Sequence, residues 1–174
     1  MRTRFLLAAM VLAAALGSAR AGETLELAGL TGTVPAEWKK EPPSNSMRLA
    51  QYRLPKAEGD KDDAELAFFA FPGGSGSLKD NLARQTAKFV EEGRTASDAK
   101  AKVGKFEATV QDVAGTFKKK KFPMATDFTP VENYRQLYVV FEGDKEQYYM
   151  TLIGPKATVE KHKKAFEAFL ASFK

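Results

Sequence analysis

Among 174 residues there is no cysteine, one histidine and one tryptophan. Each absence removes a chemistry. Without thiols the chain can form no disulfide, no thiolate nucleophile, no cysteine-based zinc site, no C-x-x-C-H haem attachment and no lipid-modified cysteine. A single imidazole, His162, cannot supply the ligand set that zinc or copper takes, so neither a metal nor another cofactor is expected. An apolar run of about 20 residues, the length a membrane-crossing helix needs, is also missing. So are low-complexity linkers and repeats of about 20 to 50 residues.

The longest apolar run is Phe5 to Leu16, "FLLAAMVLAAAL". Arg2 and Arg4 precede it, and Ala19 and Ala21 hold the small-residue positions of a cleavage site. That order is the pattern of a secretory signal peptide, residues 1 to 21, and predicts a periplasmic or secreted product without a permanent membrane anchor. Residues 22 to 174 are then expected to form one domain, long enough to bury its own core without disulfide staples.

Loss of Arg2, Arg4 and Arg20 with the signal would leave 24 basic against 22 acidic residues, so the high pI of the whole chain does not argue for nucleic-acid binding. The charge is nevertheless uneven. Residues 84 to 121 hold ten Lys or Arg and five Asp or Glu.

Hydrophobic periodicity orders the rest. Leu25 and Leu27 alternate with Glu26 before a turn and a second short strand ending at Pro35. "SMRLAQYRLP", Ser46 to Pro55, alternates after the Pro42–Pro43 break, and "AELAFFAF", Ala64 to Phe71, is apolar on both faces, as a central strand covered on both sides would be. "SLKDNLARQTAKFVEEG" predicts a helix capped by Ser77, with Leu78, Leu82, Phe89 and Val90 on one stripe and Gly93 as its stop. A hairpin about Gly104 pairs Val103 with Phe106 and Lys102 with Glu107, leaving an edge strand whose outward lysines discourage pairing with other chains. A second hairpin is expected to turn at Gly143–Asp144 with Glu142 opposite Lys145. The last helix follows Pro155 and carries Val159, His162, Phe166, Phe169, Leu170 and Phe173 on one stripe. Together these predict an α+β protein: a mostly antiparallel sheet of six to eight strands covered by two main helices, an α/β/α sandwich.

Several segments carry a family resemblance: "VPAEW", the break before "SMRLAQYRLP", the glycine-rich turn into "LKDNLARQTAKF", and "YYMTLIGPKATVEKHKKAFEAFLASF". With these the chain resembles the PsbP-like fold superfamily, and within it uncharacterised secreted bacterial proteins. The resemblance implies that fold across residues 22 to 174. Members whose roles are understood act as accessory or binding proteins, one an extrinsic subunit of the photosynthetic oxygen-evolving complex, another a nuclear-import factor that binds a small GTPase. The shared motifs are structural, so no site residue carries over.

Against this background the glycine-rich "FPGGSGSLKDN", Phe71 to Asn81, is a strand-to-helix turn rather than a phosphate cradle. From Gly73 the sixth position of a P-loop falls on Leu78, and the third glycine of a dinucleotide fingerprint falls on Lys79. The nucleophile elbow G-x-S-x-G comes nearest, with Ser75 followed in chain order by Asp127 or Asp144 and then His162, although Ser77 replaces its last glycine. A small hydrolase or ligand carrier with a pocket near Ser75 is therefore the alternative function. The acidic turn Glu58, Asp60, Asp62 and Asp63 lacks the glycine and distal glutamate of a calcium loop and reads as a hairpin tip.

The candidate binding surface is the stretch 118 to 133, expected to be the longest irregular segment. Lys118, Lys119, Lys120 and Lys121 would meet an anionic partner, and Phe122, Met124 and Phe128 would add apolar contact. Trp38, beside the Pro42–Pro43 segment, is either an additional exposed anchor or core packing. The principal expectation is a monomeric, non-enzymatic exported protein that binds another protein or an anionic envelope component, and not nucleic acid.

Overall fold

The computed structural model describes residues 22–122 and 125–174. The expected signal peptide, residues 1–21, and the expected contact residue Met124 lie outside the described residues. Those described form strands β1 (Thr24–Leu27), β2 (Leu30–Thr33), β3 (Lys39–Glu41), β4 (Arg48–Leu54) and β5 (Ala64–Pro72), then helix α1 (Leu78–Thr86). Strands β6 (Thr95–Val103), β7 (Phe106–Lys120), β8 (Phe128–Glu142) and β9 (Glu146–Pro155) follow, and helix α2 (Lys156–Ser172) closes the chain.

Seven strands make one sheet in the order β3-β4-β5-β9-β8-β7-β6, while β1 and β2 pair only with each other. Every neighbouring pair is antiparallel. After β5 the chain leaves the sheet through α1, re-enters at the far edge as β6, and returns as a meander until β9 closes against β5. This is the predicted α+β architecture.

Alternation along each strand decides which helix it meets. Leu137, Val139 and Phe141 of β8, with Met150 and Leu152 of β9 and Leu66 and Phe68 of β5, pack in the main core with Val159, Phe166, Phe169 and Leu170 of α2. Their neighbours Tyr138, Val140 and Tyr149 point to the other face, where Phe69, Phe71 and Leu82 of α1 complete a smaller cluster. The β1–β2 hairpin flanks α2: Thr31 and Lys174 exchange both backbone hydrogen bonds, and Gly32 lies so close to the Phe173 ring that a Cβ there would sit 2.7 Å from it.

Ser77 caps α1 as expected, its hydroxyl accepting from the Asp80 N–H at 3.1 Å. The helix ends at Thr86, however, well before Gly93. Phe89, fully buried, leaves the helical path to bridge Phe117, and the Val90 N–H donates to the Thr116 carbonyl at 2.8 Å. Burying a Phe against the sheet outweighs about one further helical turn, since a full side-chain burial is worth roughly 1.5–3 kcal/mol. The first hairpin has the expected register, Val103 opposite Phe106 and Lys102 opposite Glu107, with Gly104 at φ +57°. In the second, Glu142 pairs with Gln147 rather than Lys145. The two-residue shift keeps every side chain on its expected face, which is why alternation alone could not discriminate between the registers.

Asp60 of the acidic turn has a definite task at the start of α2. Its carboxylate accepts from the Thr158 N–H at 2.9 Å and the Thr158 hydroxyl at 2.6 Å. One of the open amides of the helix start is thereby satisfied by a residue far away in sequence.

Candidate functional site

The stretch expected to be irregular is largely a β-ribbon. Strands β7 and β8 are 15 residues each, and beyond Gly115 they continue pairing as Phe117 with Val131, Lys118 with Pro130, Lys119 with Thr129 and Lys120 with Phe128. Strand β6 stops opposite Ala114, so this distal part extends past its neighbour. The register shifts between Gly115 and Phe117, and opposite the shift Asn133 adopts φ +56°. Such a bulge bends and twists a ribbon. Gly115 permits the close approach of Arg94, whose Cα would lie 3.2 Å from a Cβ at that position.

Aromatic packing fixes the base of the ribbon. The Phe117 ring stacks on Tyr134 at 5.5 Å and meets the buried Phe89 edge-on at 5.5 Å. The Lys118 N–H donates to the Lys88 carbonyl at 2.8 Å, so residues 88 to 90 are held against the ribbon through the Phe89–Phe117 bridge. Lys118 itself is committed to structure. Its ammonium donates to the Ala87 carbonyl at 3.2 Å and lies 5.7 Å from the centre of the Phe128 ring, within cation–π range.

What remains outward is the tip. Lys119, Lys120 and Lys121 are exposed, Phe122 is 58% exposed and Phe128 43%. Few large apolar side chains of the described residues are as open as Phe122. The Ala125 N–H donates to the Phe122 carbonyl at 3.0 Å. A cationic and aromatic end on an anchored ribbon can take an acidic, partly apolar surface.

Trp38 does not join it. The indole is 5% exposed, edge-on to Phe169 at 5.5 Å, and donates through Nε1 to His162 Nδ1 at 3.3 Å. An exposed anchor at Trp38 is thus excluded by its packing, and the core reading holds. The second nitrogen of His162 lies 2.8 Å from the Pro55 carbonyl, to which it donates. Both nitrogens are used, which fixes the Nε2–H tautomer.

Ser75 and His162 are not brought together. The Ser75 hydroxyl lies 2.7 Å from the Tyr149 hydroxyl and 2.9 Å from Asn81 Oδ1, and can donate its proton to either. Tyr149 donates in turn to Gln147 Oε1, Gln147 donates to Glu142, and Arg84 donates to the Ser75 carbonyl at 2.6 Å. These partners belong to the α1 side of the sheet, whereas His162 sits on α2 in the main core. Ser75 therefore has no imidazole base, and its turn is a polar lock between β5, α1 and β9. Burial pushes the nearby Tyr138 phenol well above its ordinary pKa, with Tyr149 adding to the shift.

A cavity of about 630 Å³ lies elsewhere, between β6 and α2, floored by Val110, Leu137, Phe166 and Leu170. It exists because Ser97, Ala99 and Ala101 present only small side chains to the helix. The space beside Ser75 is smaller, about 260 Å³, and lined by glycines and charged residues. Sequence reasoning missed the larger groove. The run of small residues on alternate positions of β6 was the signal for it. Among the described residues no group of three His, Asp or Glu is placed to hold a metal ion, and no helix is long and apolar enough to cross a membrane.

The architecture is an antiparallel sheet with a short helix on one face and a long terminal helix on the other, with the meander strands prolonged into a ribbon. That is the PsbP-like fold. The solution structure of cyanobacterial PsbP (CyanoP) from Synechocystis sp. PCC 6803 is similar over 95% of this chain and 98% of that one, with a TM-score of 0.55 at 12% identity. A crystal structure of a protein of unknown function from Pseudomonas aeruginosa matches 84% of this chain and 91% of that one, with a TM-score of 0.46 at 16% identity. No family model matches the sequence, and no curated protein matches it.

Proposed function

We propose that this chain is an exported, non-enzymatic accessory protein that binds an acidic protein or an anionic envelope component through the tip of the β7–β8 ribbon. The observation that carries the reading is the combination of three exposed lysines, Lys119 to Lys121, with the exposed rings of Phe122 and Phe128 on a ribbon whose base is packed by Phe89, Phe117 and Tyr134. A solubilising lysine run needs no aromatic neighbours and no rigid base. The accessory role draws on analogy with the fold, and export on the residues 1 to 21 pattern.

The test is binding of the purified chain to immobilised envelope extract and to phosphatidylglycerol vesicles, with Lys119, Lys120 and Lys121 changed together to Glu. Binding should be lost in the variant and weakened for the wild type as salt rises, because exposed charges are screened beyond about 10 Å at 0.1 M ionic strength. Equal retention of the variant and the wild type would overturn the assignment of the tip. Release of a product beginning at Gly22 into the periplasm or medium is the expected outcome for export, checked by intact mass.

A further inference from the structure

The two edges of the seven-stranded sheet are not protected alike. At one edge β3 is three residues long and runs into Pro42 and Pro43, which limits what can pair with it. The other edge, β6, is nine residues long, contains no proline, and pairs with β7 in unbroken register from Thr95–Ala114 to Val103–Phe106. Among the described residues it has neither a bulge nor a covering loop, and its residues from Thr95 to Lys100 are exposed throughout. An open ladder of that length is a template for another strand.

Its charges narrow the choice of strand. Asp98 and Lys100 lie on one face, two residues apart, and neither has an ionic partner among the described residues; Lys100 makes only a 3.4 Å contact with the Thr109 hydroxyl. Lys102 is already paired with Glu107 at 3.3 Å. A neutral strand would leave both Asp98 and Lys100 unmatched, a basic strand would leave Lys100 facing like charge, and an acidic strand would leave Asp98 so. In a two-fold antiparallel pairing centred on Ala99, Asp98 stands opposite Lys100 of the partner subunit, and Lys100 opposite Asp98 of the partner subunit. The same register sets Ser97 against Ala101 of the partner subunit on the face of the groove, where small side chains meet without clash. A two-fold interface requires this self-complementarity, since each residue pair occurs twice.

We propose that β6 is a self-association edge, through which two copies of this chain join antiparallel about Ala99 with reciprocal Asp98–Lys100 pairs into one continuous fourteen-stranded sheet. The lysines that discourage other strands admit this one register. The surface is separate from the ribbon tip, since β6 ends opposite Ala114 before the ribbon begins.

Sedimentation velocity of the purified chain between about 1 and 500 μM, a range that brackets a weak, small interface, tests this. The wild type should shift from monomer to dimer with concentration. Asp98→Lys alone and Lys100→Asp alone should each weaken the dimer roughly ten- to thirty-fold, because each places like charges opposite each other twice. The double exchange Asp98→Lys with Lys100→Asp restores both pairs and should recover dimerisation. Both positions are exposed, and unchanged circular dichroism would confirm that the variants fold. A wild type that stays monomeric throughout, single variants that dimerise like the wild type, or a double variant as weak as the singles would each overturn the proposal.

Discussion

Trp38 and His162, 124 residues apart, are joined in the core by an indole N–H donated to Nδ1. The chain's one tryptophan and one histidine are thereby structural partners, and the same imidazole ties Pro55, at the end of β4, to α2. Replacing His162 by Leu leaves the buried indole N–H without its acceptor and the Pro55 carbonyl with only the Lys161 ammonium, 3.2 Å away. The expected loss is about 1–3 kcal/mol in urea denaturation, with no effect on binding at the ribbon tip. An unchanged denaturation midpoint would show that the pair contributes nothing.

Ser75→Ala removes a hydroxyl that meets both Tyr149 and Asn81. Asn81 is 2% exposed, so the loss is felt inside the turn. A destabilisation of about 0.5–1.5 kcal/mol is expected, measured by thermal or urea unfolding. Abolition of an esterase activity by this change would instead return Ser75 to a catalytic role.

Phe117→Ala should loosen the ribbon without unfolding the sheet. The ring contacts Phe89 and Tyr134 at the ribbon base, and truncating a buried Phe costs roughly 3–5 kcal/mol, less where the site is half open. Amide exchange of residues 116 to 121 should quicken while β5 and β9 stay protected. Binding at the tip should weaken with the charges intact. Uniform exchange across the sheet would contradict a locally anchored ribbon.

Tyr138 gives the fold an alkaline limit. Its phenol, 3% exposed, is raised by burial above the ordinary value of 10.0, so from about pH 10 upward the unfolded chain loses a proton that the folded chain retains. The folded state then binds more protons, and stability falls as pH rises, by at most about 1.4 kcal/mol per pH unit for one group. Below pH 10 the contribution is complete. Tyr138→Phe should flatten this alkaline decline relative to the wild type in urea midpoints between about pH 9 and 12. Parallel declines in the two proteins would place the alkaline sensitivity elsewhere.

Much of the architecture was legible because side-chain period and turn chemistry are local. Leu137, Val139 and Phe141 announce one buried face by alternation, Val159 to Phe173 announce another by helical spacing, and Gly104 with Lys102 and Glu107 announces a hairpin register. The amino-acid sequence by itself therefore determined most element types, the two covering helices, most faces, and the exclusion of thiol and histidine-rich chemistries, but not that residues 118 to 120 and 128 to 133 pair as a ribbon. Only the tertiary structure decided where α1 stops, because Phe89 leaves the helix for a partner, Phe117, that is 28 residues later in the chain. It also decided that Glu142 meets Gln147, a choice between registers that burial patterns cannot distinguish. Trp38 is core, Lys118 is a tether and Asp60 caps a helix for the same reason: each depends on a residue remote in sequence, and no local preference encodes where that residue will lie.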